Sequence, residues 1–94
     1  MKREDVYKLI DGERDFQDLR WNASTTISGG IHTPDEWVLY MEDYLAEARK
    51  YCSRESANTG RPKAMEIIRK VTAMGVCAME QNDTAPRSYV PGPQ

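Results

Sequence analysis

Arginines close to an aromatic ring and to hydrogen-bonding side chains are the chemistry that stands out in this chain. Glu13, Arg14, Gln17 and Asp18 follow one another at helical spacing, with Arg20 and Trp21 directly behind them. His32 and Glu36 come next, across a loop, and Glu80 and Arg87 lie towards the other end. A guanidinium fork binds phosphate through paired N–H bonds and an indole face stacks on a base. Arg14, Trp21 and Arg87 are therefore candidate contacts for a planar or phosphorylated ligand. Glu13, Gln17, Asp18 and His32 would bond to its edges. Arg69 and Lys70 form a second basic pair that could hold phosphate, and across an oligomer they would become a shared basic site. A plainer account of the same residues is also open: acids and arginines pair at a helix end, Trp21 plugs the core, His32 staples a cap, and Arg69 and Lys70 are solvated.

Metal chemistry finds less support. The two cysteines, Cys52 and Cys77, have neither a paired spacing nor a histidine close in sequence, so they read as buried free thiols. A magnesium cluster of the kind that small all-α nucleotide pyrophosphohydrolases use needs paired carboxylates on facing helices. The third helical segment offers only Glu66 and Glu80, at its opposite ends. No cofactor is implied, and binding without catalysis is the favoured reading over such an enzyme or a purely structural interaction module.

The elements that must position these residues are all helical. Val6, Leu9, Ile10, Glu13, Phe16, Gln17 and Arg20 recur at three- and four-residue steps, which places a first helix over about Glu4 to Arg20. Gly12 weakens its middle and permits a bend. Glu13 and Gln17 face inward, so Arg20 or a residue of another helix must satisfy them unless they line a cavity. From Trp21 to Thr33 there is no periodicity, and a loop rich in Ser, Thr and Gly is expected there. Ile27 and Ile31 could pin that loop, and its glycines could let it fold over a ligand or a neighbouring subunit.

Thr33-Pro34-Asp35-Glu36 supplies an N-cap, a proline at the first helical position and the acid of a capping box, so a second helix starts there. Its apolar stripe is Trp37, Met41, Tyr44, Leu45, Ala48 and Cys52. Ser53 to Arg61 reads as a polar connection, and Pro62 reads as the first residue of a third helix running to about Asn82. The middle of that helix, Val71 to Met79, is apolar almost all round, which calls for neighbours on several sides. One stripe contains Ala64, Ile67, Ile68, Val71, Met74, Gly75 and Ala78, and a second contains Met65, Thr72, Val76 and Met79. The expected fold is all-α: a long antiparallel hairpin of helices two and three with a shorter N-terminal helix. If the helices alternate in direction, the polar residues named above gather at one pole.

A chain of 94 residues forms one domain with a thin core, here expected over 1–87, followed by an extended proline-rich tail over 88–94. The thin core and the apolar third helix point to a homo-oligomer, most simply a dimer through helix three. The net charge of −2 argues against general nucleic-acid binding. The absence of a long apolar run argues against a membrane protein, so a cytoplasmic location is expected.

The run Glu13-Arg14-Asp15-Phe16-Gln17-Asp18 with Trp21, the Glu36-Trp37 pair behind His32, Glu66-Ile67-Ile68-Arg69-Lys70, Cys77-Ala78-Met79-Glu80 and Ala85-Pro86-Arg87 together resemble a group of small proteins of tailed bacteriophages. The likeness covers about Val6 to Arg87. It implies a phage accessory protein acting in the host cytoplasm, in host takeover or anti-defence. Such a role is filled by sequestering a nucleotide-type signal, for instance a cyclic nucleotide, or by blocking a host defence protein.

Overall fold

The computed structural model describes residues 1–88, and three α-helices without any strand make up the described part. Helix α1 spans Arg3–Arg20, α2 spans Pro34–Arg54 and α3 spans Ala57–Asn82. Of the tail expected over 88–94, everything after Ser88 lies outside the described residues. No helix among the described residues is long and apolar enough to cross a membrane.

The expected hairpin of α2 and α3 forms, and α1 packs on α3 alone, without touching α2. Helix α3 is thus the middle of a flat layer measuring 46 × 41 × 25 Å. Its contact with α2 contains two small clusters. Trp37, Met74 and Cys77 form one, towards the end where α1 and the loop join, and Ala48, Ala64 and Ile67 form the other, towards the hairpin turn. Alanines at the second cluster leave little side-chain volume between the axes, so the backbones lie close there.

The start of α2 follows the sequence closely. Thr33 Oγ1 accepts from the Glu36 amide at 3.3 Å, and Glu36 Oε1 accepts from the Thr33 amide at 3.0 Å, which completes the capping box. The hairpin turn differs from expectation. Helix α2 continues to Arg54 and α3 begins at Ala57, so only Glu55 and Ser56 connect them, and Pro62 sits inside α3 rather than at its start. Proline in mid-helix costs about 3 kcal/mol, but only the first turn precedes it here. Tertiary contacts hold that turn: Gly60 is buried against the Tyr51 carbonyl, and Lys63 pairs with Glu55 at 2.7 Å. What the sequence presents as a helix breaker at Gly60 is a point of close backbone approach between two helices.

Two further expectations are corrected. Ile27 and Ile31 do not pin the loop, since Ile27 is 90% exposed and Ile31 is exposed as well. The side chain of Gln81 does so instead, donating to the Gly30 carbonyl at 2.8 Å and accepting from the His32 amide at 3.0 Å. The loop reaches Gln81 through a left-handed turn at Ser28, Gly29 and Gly30. A Cβ at Gly30 would lie 2.7 Å from the Trp21 carbonyl oxygen, so this turn needs glycine twice over. Cys52 is exposed rather than buried, because the α2 stripe has turned off α3 one turn beyond Ala48, whereas Cys77 is buried as expected.

Candidate functional site

Part of the expected polar pole comes together, Arg14 with Gln17, Asp18 and Glu80, and it is internally satisfied. Arg14 is 8% exposed and uses every arm of its guanidinium: Nε donates to Glu80 at 2.9 Å, Nη2 to Asp18 at 2.8 Å, and Nη1 to Gln17 at 3.4 Å. The hydrogen bond to Glu80 raises its pKa further above the ordinary arginine value, against the opposing effect of burial. Gln17 is 1% exposed and its amide donates to the Lys70 carbonyl at 3.1 Å. The inward-facing polar groups of α1 therefore find partners on α3, not at Arg20. They are the seam between α1 and α3, where apolar side chains would ordinarily be. Burial likewise pushes the neighbouring Cys77 thiol up, which keeps it protonated and unreactive.

The remaining expected site residues are divided. Glu13 does not join Arg14; it pairs with Arg69 at 2.8 Å on the other side of α1. Lys70 is half-buried with its ammonium 4.6 Å above the Tyr44 ring. Trp21 is half-buried beside Trp37 and Cys77. His32 is half-buried with its Nδ1 3.6 Å from Glu36, and its ring meets Trp37 and Tyr40 edge-on at 5.3 and 4.9 Å. Asp18 and Arg87 are exposed, Arg87 beyond the end of α3. Hydrogen bonds from the Thr33 backbone and hydroxyl hold the Glu36 carboxyl below its ordinary value.

Two clefts adjoin at Glu47, which lines both. The larger, about 670 Å³, is the gap left over α3 because α1 and α2 do not meet. Ile67 lies along it together with Phe16 and Tyr51, while Lys63, Arg69 and Lys70 supply charge. Phe16 is 52% exposed, an unusual position for the chain's one phenylalanine. Glu13, Glu47 and Glu66 line the same gap, so its cations are matched by acids. Among the described residues, Lys70 is the one of these three cations without a carboxylate partner, since Lys63 pairs with Glu55 and Arg69 with Glu13.

The second cleft, about 510 Å³, lies between the loop and α2 and is walled by Trp21, His32, Trp37, Tyr40 and Tyr44. Asp43 and Glu47 stand at its edge. Neither the tyrosines nor these acids are among the site residues expected from the sequence, where Tyr44 reads as part of the apolar stripe of α2. Their signal is present: Tyr40, Tyr44, Glu47 and Tyr51 follow at steps of four, three and four, one stripe of α2 beside the apolar one. Gln81 was missed for a different reason, since a lone glutamine in a helix carries no pattern at all.

The fold is a flat three-helix layer that carries one aromatic cleft and one of mixed charge. The chain matches no protein-family model, and no curated protein or solved structure is detectably similar to it.

Proposed function

We propose that this chain is a non-enzymatic binding module which takes a nucleotide-type ligand in the gap between α1 and α2. The observation that carries the reading is the exposed Phe16 ring sharing that gap with Arg69 and the carboxylate-free Lys70. Bases stack on aromatic faces, and a phosphate would compete with Glu13 for Arg69 while meeting Lys70 without competition. Among the described residues, no group of three or more His, Cys, Asp or Glu side chains is placed to hold a metal ion. Arg14 and Gln17, first in line from the sequence, serve the α1–α3 seam in this reading.

Assembly belongs to the same proposal. The two flanking helices leave one face of α3 uncovered, and Met65, Ile68, Thr72 and Met79 are exposed along it. Together with Gly75 these residues step by three, four, three and four, the seam of a helix pair. A second copy of this chain covers such a seam most simply. With the phage resemblance, the reading becomes an oligomeric phage accessory protein that sequesters a signalling nucleotide as an anti-defence measure.

A thermal-shift panel of cyclic and linear nucleotides tests the proposal. A ligand at 100 times its dissociation constant adds about 2.7 kcal/mol. That raises the melting temperature by roughly 10–20 °C for a domain of this size. Lys70→Gln should remove most of the shift, and the ligand should be recovered chemically intact after the complex is denatured. A panel without any shift refutes nucleotide capture and leaves a protein target, while recovery of a cleaved ligand establishes an enzyme.

A further inference from the structure

We propose that the aromatic cleft between the loop and α2 is a separate site for an organic cation: an alkylammonium, a quaternary ammonium or a guanidinium group. The argument begins with the rings. Tyr40 and Tyr44 stand on consecutive turns of α2, with Trp37 and His32 meeting Tyr40 edge-on. The indole N–H of Trp37 is bonded to Gln81 Oε1 at 2.9 Å, so Trp37 brings its ring and no free donor to the cleft. Ring faces attract cations through their quadrupole, with or without hydrogen bonding. This wall already shows that preference, because the Lys70 ammonium lies 4.6 Å over the Tyr44 ring.

The charges at the edge have the same sign. Asp43 and Glu47 are one helical turn apart, a spacing at which like charges oppose helix formation. Among the described residues, Asp43 makes no hydrogen bond or ion pair, and Glu47 accepts only from the Tyr51 hydroxyl, at 3.5 Å. Two exposed carboxylates without a cationic partner, at the mouth of a cleft walled by rings, favour a positive ligand and repel a phosphate. The cleft adjoins the gap between α1 and α2, sharing Glu47 with it, and differs from it in the sign of the charge it favours. The cation has two possible sources, a free polyamine or the side chain of a basic residue in a partner protein.

Quenching of tryptophan fluorescence, read on the intact chain, tests the site with choline and with 3,3-dimethylbutan-1-ol, its neutral carbon isostere. Choline should quench with saturation, and the isostere should bind roughly three- to tenfold more weakly, since only the charge differs. Asp43→Asn with Glu47→Gln should reduce that discrimination to the part the rings supply, and circular dichroism should show unchanged helix content. Tyr40→Leu keeps an apolar wall and should weaken choline by a similar factor. Spermidine, Nα-acetyl-lysine amide and Nα-acetyl-arginine amide then separate the sources. Tighter spermidine binding identifies a free amine, and a tighter amide identifies a basic side chain. Equal binding of choline and its isostere, or no saturation by any of these cations at about 10 mM, overturns the proposal.

Discussion

Adding one methyl group at Gly60 and the same methyl group at Gly12 should move stability in opposite directions. Both glycines lie within helices, where alanine is intrinsically better by about 0.8–1 kcal/mol. At Gly12 an added Cβ meets nothing within 4 Å, so Gly12→Ala should express that gain in full. At Gly60 the Cβ would overlap the Tyr51 carbonyl oxygen and lie 3.1 Å from the carbonyl carbon and 3.3 Å from Glu55 Cβ. The obstacle is backbone, which cannot rotate aside, so α3 must move away from the end of α2. Overpacking of this kind costs about 1–3 kcal/mol, and a backbone clash belongs at the upper end. Subtracting the propensity gain leaves Gly60→Ala destabilised by about 2 kcal/mol. Thermal melts followed by circular dichroism at matched protein concentration should place Gly60→Ala roughly 8–16 °C below the parent and Gly12→Ala about 4–8 °C above it. Equal stabilisation by both substitutions would refute the close α2–α3 approach and restore a longer connection ending at Pro62.

Four further outcomes are expected. Thr33→Ala should lose about 1 kcal/mol in a urea melt, through loss of the α2 cap. Because the folded-state pKa of Glu36 is lowered, its contribution is present above the ordinary glutamate value near 4.3 and is lost as pH falls through the folded value. Glu36→Gln should accordingly flatten the fall in stability of the parent in urea melts between about pH 5 and pH 3. Gln81→Leu strands the His32 amide, the Trp37 indole N–H and the Gly30 carbonyl together, so a loss of at least about 2 kcal/mol should accompany faster amide exchange in the loop. At Gly75 the first side-chain carbon of a Gly75→Leu substitution meets only Met41 Cε within one chain, at 3.9 Å, and the rest of the leucine would project into the proposed seam. Light scattering should therefore show a smaller assembly with helix content retained; a parent that is already monomeric at micromolar concentration would remove the seam from α3.

Local order was legible in the sequence because its causes are local. The capping box of Thr33 and Glu36, the amphipathic stripe of α2 and the apolar middle of α3 each depend on residues within a few positions of one another. From these follow the helical class, the start of α2 and the hairpin. The concentration of Glu13, Arg14, Gln17 and Asp18 likewise followed from spacing along one helix. Roles for those residues did not follow, because a role is set by what stands opposite. Arg14 was a ligand candidate until Glu80, far along the chain, was found to share its guanidinium with Asp18 and Gln17. Gly60 and Pro62 have the local chemistry of a stop and a start, and tertiary packing overrides it: Gly60 is where two backbones touch, and the contacts around it hold the turn that proline weakens. Helix patterns show which faces are apolar but not how many neighbours cover them. Tertiary structure decided that α1 and α2 flank α3 without meeting, and that geometry produces both the gap holding Phe16, Arg69 and Lys70 and the uncovered face of α3.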